Sequence, residues 1–398
     1  MIKIKVIHPC FKITGFNMNT QPKKLKICFV ALHKPLLAMI YDKNYESAGG
    51  AELQQLNLAN YLKSHGVDVS LILNDTGANY SDVDGFKIYT GYPKGKGIPF
   101  LRFFYPRLYR LNKTMKKINA DVYYIRTRGG DVGLVAYFAK KFKKKSIFSV
   151  SHDYGINLKY FENAPFIEKK LYRYGLKNCD LIIVQSTYQK DILLKNFKRE
   201  GKILTSGHKI IPKIQRNARK IQHNILWVST LRSVKQPEVF IKLAEAFPQI
   251  KFTMIGDESD DKKIDYNIIK KKISKLKNLN YKGYIQPDKV QEYFNSATIF
   301  VNTSKAEGFP NTFCQAWLAS IPVASLKVDP DNIITKHKLG YVGEDFNGLK
   351  KGIQQYLDNP KRWFEDGIRC RQYVEKNHNI ESVGKQFHNM VSQLIEGT

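Results

Sequence analysis

Cysteine is sparse and shows no metal or redox spacing. Cys10, Cys28, Cys179, Cys314 and Cys370 never stand as Cys-x-x-Cys, so neither a zinc ribbon nor a disulfide framework is encoded, and a reducing compartment fits. Long apolar runs are also missing. The best, Ile27 to Ile40, is broken by His33, Lys34 and Pro35 and falls short of the ~18 residues that span a bilayer. No apolar core with a small-residue cleavage site follows Lys3, Lys5 and Lys12, so no secretory leader is expected. Residues 1–24 read as an extension. The expected location is the cytoplasm, with the inner face of the cell membrane as a peripheral station. Acid is the third shortage: 35 Asp+Glu stand against 65 Lys+Arg, a formal net charge of +30. Such an excess suits nucleic acid, a phosphate-rich substrate or an acidic membrane. No RNP, KH, helix-turn-helix or zinc-finger signature accompanies it, which disfavours nucleic acid.

What is present is a rhythm. Over 398 residues, 43% of them hydrophobic, short β-branched runs alternate with amphipathic stretches, the pattern of parallel α/β layers. A first series of strands is expected at 25–32, 67–73, 86–90, 121–125, 146–151 and 180–184. A second follows at 224–228, 252–255, 280–282, 298–301 and 322–325. Leu53, Leu56, Leu58, Ala59 and Leu62 fall at helical spacing within Ala51 to Ser64, and Gly66 stops that helix. The polar, basic stretch 206–222, with Pro212 inside it, reads as a linker. Two series of similar length predict an α/β chain of two Rossmann-like domains facing a cleft, 25–205 and 223–378. Beyond Asn347 the chain is helical, with Leu349, Ile353, Tyr356 and Leu357 at i, i+4, i+7, i+8.

The chemistry concentrates in Thr303 to Trp317, which follows a buried strand and opens a helix. Gly308 permits close approach of backbone to ligand, and Pro310 suits a first helical turn. The N–H groups of Asn311, Thr312 and Phe313 would then point into the cleft, where they can hold phosphate or sugar oxygens. Glu307 is an acceptor-only group suited to paired hydroxyls. The plainer reading is a strand–loop–helix corner capped by Glu307. His152 ends a five-residue strand run with Asp153 beside it; His208 reads as a hinge residue. The one Asp-x-Asp, Asp82-Val83-Asp84, follows a turn-rich stretch and reads as a solvated turn rather than a metal site.

The segment EGFPNTFCQAW resembles the EX7E region of retaining GT-B glycosyltransferases of family 4. Ala48-Gly-Gly-Ala-Glu-Leu-Gln-Gln is similar to that family's glycine loop before its first long helix. The stretch Leu226 to Pro237 resembles its phosphate-gripping segment, and Ser149-Val-Ser-His-Asp its histidine segment. The resemblance runs over about residues 25 to 395. It implies a GT-B architecture whose C-terminal helices, about 379–398, pack back on the first domain. It also implies a metal-independent transferase without cofactor, moving a sugar from a nucleoside diphosphate sugar to a glycan or lipid-linked acceptor with retention. Surface-polysaccharide assembly (capsule, lipopolysaccharide or exopolysaccharide) is the implied context. Glu307 and His152 would be catalytic. Gly49, Gly50, Arg232 and Lys235 would grip the donor phosphates, and Gly308, Phe309, Asn311, Thr312 and Gln315 would receive donor sugar and nucleotide.

Two positions depart from the pattern. Gln315 stands at the second acidic place of EX7E, where an amide can still bond a ribose diol. Thr230 stands where many members have Arg. Arg232, two residues on, shares its face if the strand continues that far. Rival readings are a GT-B nucleotide-sugar epimerase or hydrolase, and a non-catalytic basic protein that binds membrane or nucleic acid. The charge is uneven, +19 in residues 1–200 and +11 in 201–398. Lys94 to Lys117 holds eight basic residues, no acid, and Phe100, Phe103, Phe104, Tyr105 and Tyr109. This segment, with Arg102, Arg107 and Arg110, is a candidate acceptor or anionic-membrane patch. Lys140 to Lys145 and Lys169 to Tyr174 are further basic clusters; a merely solvated, lysine-rich face is the competing explanation.

Overall fold

The computed structural model describes residues 24–32, 36–40, 50–74, 82–93, 103–157, 164–216 and 223–397. Gly49, Arg102, Cys10 and all but the last residue of the 1–24 extension lie outside them.

The first half runs β1 (Lys26–Ala31), α1 (Leu36–Ile40), α2 (Gly50–Ser64), β2 (Asp68–Leu73), β3 (Asp82–Val83), β4 (Phe86–Thr90) and α3 (Tyr109–Ile118). It continues through β5 (Val122–Ile125), α4 (Asp131–Lys141), β6 (Lys145–Ser149), α5 (Phe166–Asn178), β7 (Leu181–Val184), α6 (Thr187–Phe197) and β8 (Lys202–Ile203). Its sheet has the order β3-β4-β2-β1-β5-β6-β7-β8. Every pairing is parallel except β3 with β4. After Lys26, β1 is buried on both faces, because helices cover both sides of a parallel sheet; hence the unbroken apolar run. Asp84 and Gly85 both have positive φ, 52° and 72°, and close the β3–β4 hairpin. Of the Asp82-Val83-Asp84 triplet, expected as a turn, Asp82 and Val83 thus form the edge strand β3 and only Asp84 lies in the turn.

The second half runs β9 (Asn224–Val228), α7 (Pro237–Ala246), β10 (Lys251–Ile255), α8 (Tyr266–Ile273), β11 (Leu279–Tyr281), α9 (Pro287–Ser296), β12 (Ile299–Asn302) and α10 (Asn311–Leu318). Then come β13 (Val323–Ser325), α11 (Ile333–His337), β14 (Gly340–Val342), α12 (Phe346–Asp358), α13 (Pro360–Asn377) and α14 (Ile380–Glu396). The sheet order is β11-β10-β9-β12-β13-β14, all parallel. Because β9 ends at Val228, strand alternation does not relate Thr230 to Arg232. The chain instead enters a 3-10 turn at Ser233–Lys235, with Arg232 extended just before it.

The described part of the linker, 206–216, is clipped rather than loose. Arg216 donates to the carbonyls of Phe294, Asn295, Ala297 and Ala319 at 3.1, 2.9, 2.7 and 2.8 Å. After α13 packs on the second domain, the chain crosses back at His378. Val383, Phe387, Met390 and Val391 of α14 then join Leu58, Tyr61 and Leu62 of α2 in a core of the first domain. Among the described residues no helix is long and apolar enough to cross a membrane.

Candidate active site

Polar residues begin where the buried strand β12 ends. Glu307 accepts from Asn302 Nδ2 at 2.9 Å and Ser304 Oγ at 2.6 Å through one oxygen. Its other oxygen pairs with Lys235 Nζ at 2.6 Å. Burial alone would raise the Glu307 pKa, but the Lys235 charge and the three donors hold it below its usual value, so the group is ionised at neutral pH. Asn302 is itself fixed, its Oδ1 accepting the Ser304 N–H at 3.1 Å.

The Lys235 turn is pinned to the same strand end. Thr303 donates to the Lys235 carbonyl at 2.5 Å and accepts the Trp227 indole N–H at 2.9 Å. Lys305 N–H reaches the Val234 carbonyl at 2.8 Å. On the far side, Asp261 accepts from Ser233 N–H and Oγ at 2.8 and 2.7 Å, and these bonds bring its pKa down to about 2. Arg232 is exposed at the mouth of this turn.

The first domain contributes His152, in the bend after β6. Burial and the nearby Lys235 push its pKa down to about 4, with Arg128 and Arg232 adding to them and Glu307 opposing. The imidazole is therefore neutral at pH 7. Beside it, Asp153 accepts from Gln189 Nε2 at 2.8 Å, and its pKa is raised by burial. Gly308 is pressed against the same helix. A Cβ there would sit 3.1 Å from Gln189 Nε2 and 3.4 Å from Gln185 Oε1, so any side chain here would require these glutamines to shift.

A second interdomain contact forms at Asn311. Its Nδ2 donates to the Gly50 carbonyl at 3.0 Å, and its Oδ1 accepts from Gln54 Nε2 at 3.1 Å. A Cβ on Gly50 would collide with that amide. Gln54 also meets the buried His208 at 3.1 Å, and His208 bonds to the backbone of His378 and Ile380. The hinge expected at His208 is thus a packed crossing of three segments. A third contact is Asp331, whose carboxylate accepts the N–H groups of Thr187 and Tyr188 at 2.6 and 3.1 Å.

Glu307, Lys235, Arg232 and His152 thus converge, and Gly308, Gly50 and Asn311 bring the two domains together around them. Thr312 and Gln315 are partly exposed on the first turns of α10. Three expectations are corrected. The Phe309 ring is 8% exposed and packs 4.7 Å from His378 and 6.2 Å from Trp317, so its side chain belongs to the core, where a large ring gains most. The Phe313 N–H is bonded to the Pro310 carbonyl at 3.1 Å and is not offered to the cleft. Arg107 is withdrawn from the surface by the fully buried Asp131, at 2.9 Å, and by Glu168, so it is not part of a membrane patch. Arg110 is half-buried.

The residues that hold the site in shape were not singled out from sequence: Asn302, Ser304, Thr303, Asp261 and Asp331. Asn302 and Ser304 carry a signal, being polar at a buried strand end five and three residues from Glu307. Asp261 and Asp331 carry none.

Comparison with known proteins bears on both halves of the chain. The family described as Glycosyltransferase Family 4 matches residues 48–205, and the family Glycosyl transferases group 1 matches residues 212–377. An alpha-monoglucosyldiacylglycerol synthase of Acholeplasma laidlawii is 29% identical over 245 residues, which is 54% of this chain and 60% of that protein. Sucrose-phosphate synthase from Thermosynechococcus elongatus superposes with a TM-score of 0.76 at 16% identity, covering 94% of this chain and all of the other. Anabaena HepE in complex with UDP-glucose gives 0.71 at 14% identity, covering 93% of this chain and all of the other.

Proposed function

The chain is a glycosyltransferase of the GT-B type, and we propose that it moves a sugar from a nucleoside diphosphate donor to a glycan or lipid-linked acceptor with retention of anomeric configuration. The observation that carries this reading is the Lys235–Glu307 pair at 2.6 Å beside a neutral His152. A departing diphosphate gathers negative charge as the glycosidic bond breaks. Lys235, held by Glu307, meets that charge from a fixed position, where electrostatic catalysis is most effective, and Arg232 joins it from the mouth of the turn. We assign this task to the two cations and none of it to a metal. Glu307, ionised and held by three donors, accepts hydrogen bonds from sugar hydroxyls. His152, neutral, can both donate and accept toward the sugar. Gln315 on α10 takes the ribose, Thr312 lies beside it, and the acceptor oxygen attacks from the leaving-group face.

The HepE neighbour was solved with UDP-glucose, which makes that compound the first donor to test. The Acholeplasma relative is named for a glucolipid, which supports a lipid-linked acceptor beside glycans. Surface-polysaccharide assembly is the context we propose. The test is turnover of a nucleotide-sugar panel by the wild type and Glu307→Gln. The variant should bind UDP within a few-fold of wild type and lose at least ~10²-fold in kcat. Near wild-type turnover would remove Glu307 from the mechanism. Donor cleavage that no acceptor accelerates would favour a hydrolase or epimerase, and no nucleotide affinity at all a binding protein.

A further inference from the structure

We propose that one face of the first domain, built from Phe103–Leu108, α3 and the start of α5, docks on an anionic lipid bilayer. Five large apolar side chains are exposed there: Phe104 60%, Tyr105 61%, Tyr109 53%, Phe166 69% and Ile167 51%. They come from segments about sixty residues apart, and Arg107 is the clasp that joins them. Its guanidinium bonds Asp131 at the start of α4 and Glu168 in the first turn of α5. Glu168 in turn accepts the Gly130 N–H at 2.7 Å. The clasp draws the segment that holds Phe104 and Tyr105 to the start of α5, where Phe166 and Ile167 stand, so both exposed groups are gathered at one end of the first domain, its rim.

The charge around this rim has one sign. Residues 103–118 contain no acid, and Glu168 is the only one in 166–178; it is already engaged by Arg107. Tyr109, Lys113 and Lys116 are exposed at i, i+4, i+7 along α3. Phe166, Lys170, Arg173 and Lys177 are exposed at i, i+4, i+7, i+11 along α5, with Lys170 Nζ 4.4 Å from the Phe166 ring centroid. Aromatic and aliphatic tips flanked by long cations match the two layers of a bilayer surface, acyl boundary and anionic headgroups. A protein partner would need matching acids and a closed apolar pocket, and its rim would not need cations along two whole helices. The surface differs from the one that sequence marks, because Arg107 builds it without taking part in it.

Sedimentation of the full chain with vesicles tests the proposal independently of the donor chemistry. With phosphatidylglycerol–phosphatidylcholine vesicles at low salt the protein should pellet, at least about tenfold more than with phosphatidylcholine alone, and less as salt rises. Lys113→Glu with Lys170→Glu should lose at least about tenfold of the anionic binding. Phe104→Ser with Phe166→Ser and Ile167→Ser should remove the binding that survives high salt. UDP affinity should stay at the wild-type level in both variants, which shows that they are folded. Equal pelleting with neutral vesicles, unchanged pelleting of both variants, or no pelleting at all would each overturn the proposal. So would self-association that the serine variant abolishes without any vesicle binding.

Discussion

At the scale of single residues, the site pairs an ionised carboxylate with a neutral imidazole inside a basic protein. Asn302 and Ser304 decide the first half. Without the Asn302 amide, one buried lone pair of Glu307 is left unmatched, which costs on the order of 1–3 kcal/mol. Asn302→Leu should therefore lower kcat by ~10-fold or more and shift the acid limb of the pH–rate profile upward, while UDP affinity stays level. An unchanged profile would mean that Ser304 and Lys235 suffice. His152 supplies the second test. Its ring protons should titrate near pH 4 in NMR spectra, and replacing Lys235 or Arg128 with Ala should bring the midpoint back toward 6.5. Titration near 6.5 in the wild type would contradict the cationic surroundings described for it. Glu307 and His152 were legible as candidates because both stand on short segments next to strand ends. Phe309 misled, since a residue flanked by a glycine and a proline in a binding loop can still turn its ring into the core.

At the scale of elements, the contact to watch is the cap that one domain places on a helix of the other. Asp331 bonds the first two N–H groups of α6, while Ser186 takes the third from within the same domain. Asp331 and Asn332 reach this position with φ of 51° and 56°, a left-handed pair that L residues adopt only when something holds them. The held geometry matters because α6 also carries Gln189, which binds Asp153 beside His152 and packs on Gly308. Asp331→Ala should loosen domain closure by about 1–2 kcal/mol, the worth of a lost cap. The expected outcome is a donor KM raised ~5- to 20-fold and a larger radius of gyration by X-ray scattering, with Asp331→Asn recovering part of both. A wild-type KM and radius in the alanine variant would show that Asn311 and Gly308 hold closure alone. Sequence reasoning had no access to this element contact, whose partners lie 144 residues apart. It read the strand–helix alternation because periodicity is local, and it missed the edge strands β3, β8 and β14, which are two, two and three residues long. The 3-10 turn at Ser233–Lys235 was also missed: it depends on Asp261, and nothing in LRSVKQP announces a partner 28 residues on.

At the scale of the whole molecule, the two domains are tied by a crossing made of buried histidines. His208 bonds Gln54 and the His378 backbone, and His378 bonds the Ser206 carbonyl through Nδ1 at 3.0 Å while its ring lies tilted against Phe309. Burial pushes their pKa values down to about 3 and about 4; the His378 ring adds to the effect on His208, and the Ser206 carbonyl opposes it on His378. The unfolded chain protonates histidine near pH 6.5, so between that value and about 4 the unfolded state binds more protons than the folded one. Stability is therefore unaffected above pH 7 and falls as pH drops through this window. Above pH 5 the carboxylates contribute little, because Glu307 is held ionised by Lys235 and unfolded acids are ionised as well. Denaturant unfolding at pH 7.5 and at pH 5 should thus differ by on the order of 2 kcal/mol for each such histidine. His378→Gln removes one titration. It should be less stable than wild type at pH 7.5, having lost a packed ring, yet lose about 2 kcal/mol less on going to pH 5. The same acid loss in variant and wild type would mean that the folded His378 takes up its proton in the same pH range as the unfolded chain. In that case the crossing that joins the linker, α2 and α14 would tolerate a charged ring and would not depend on neutral packing.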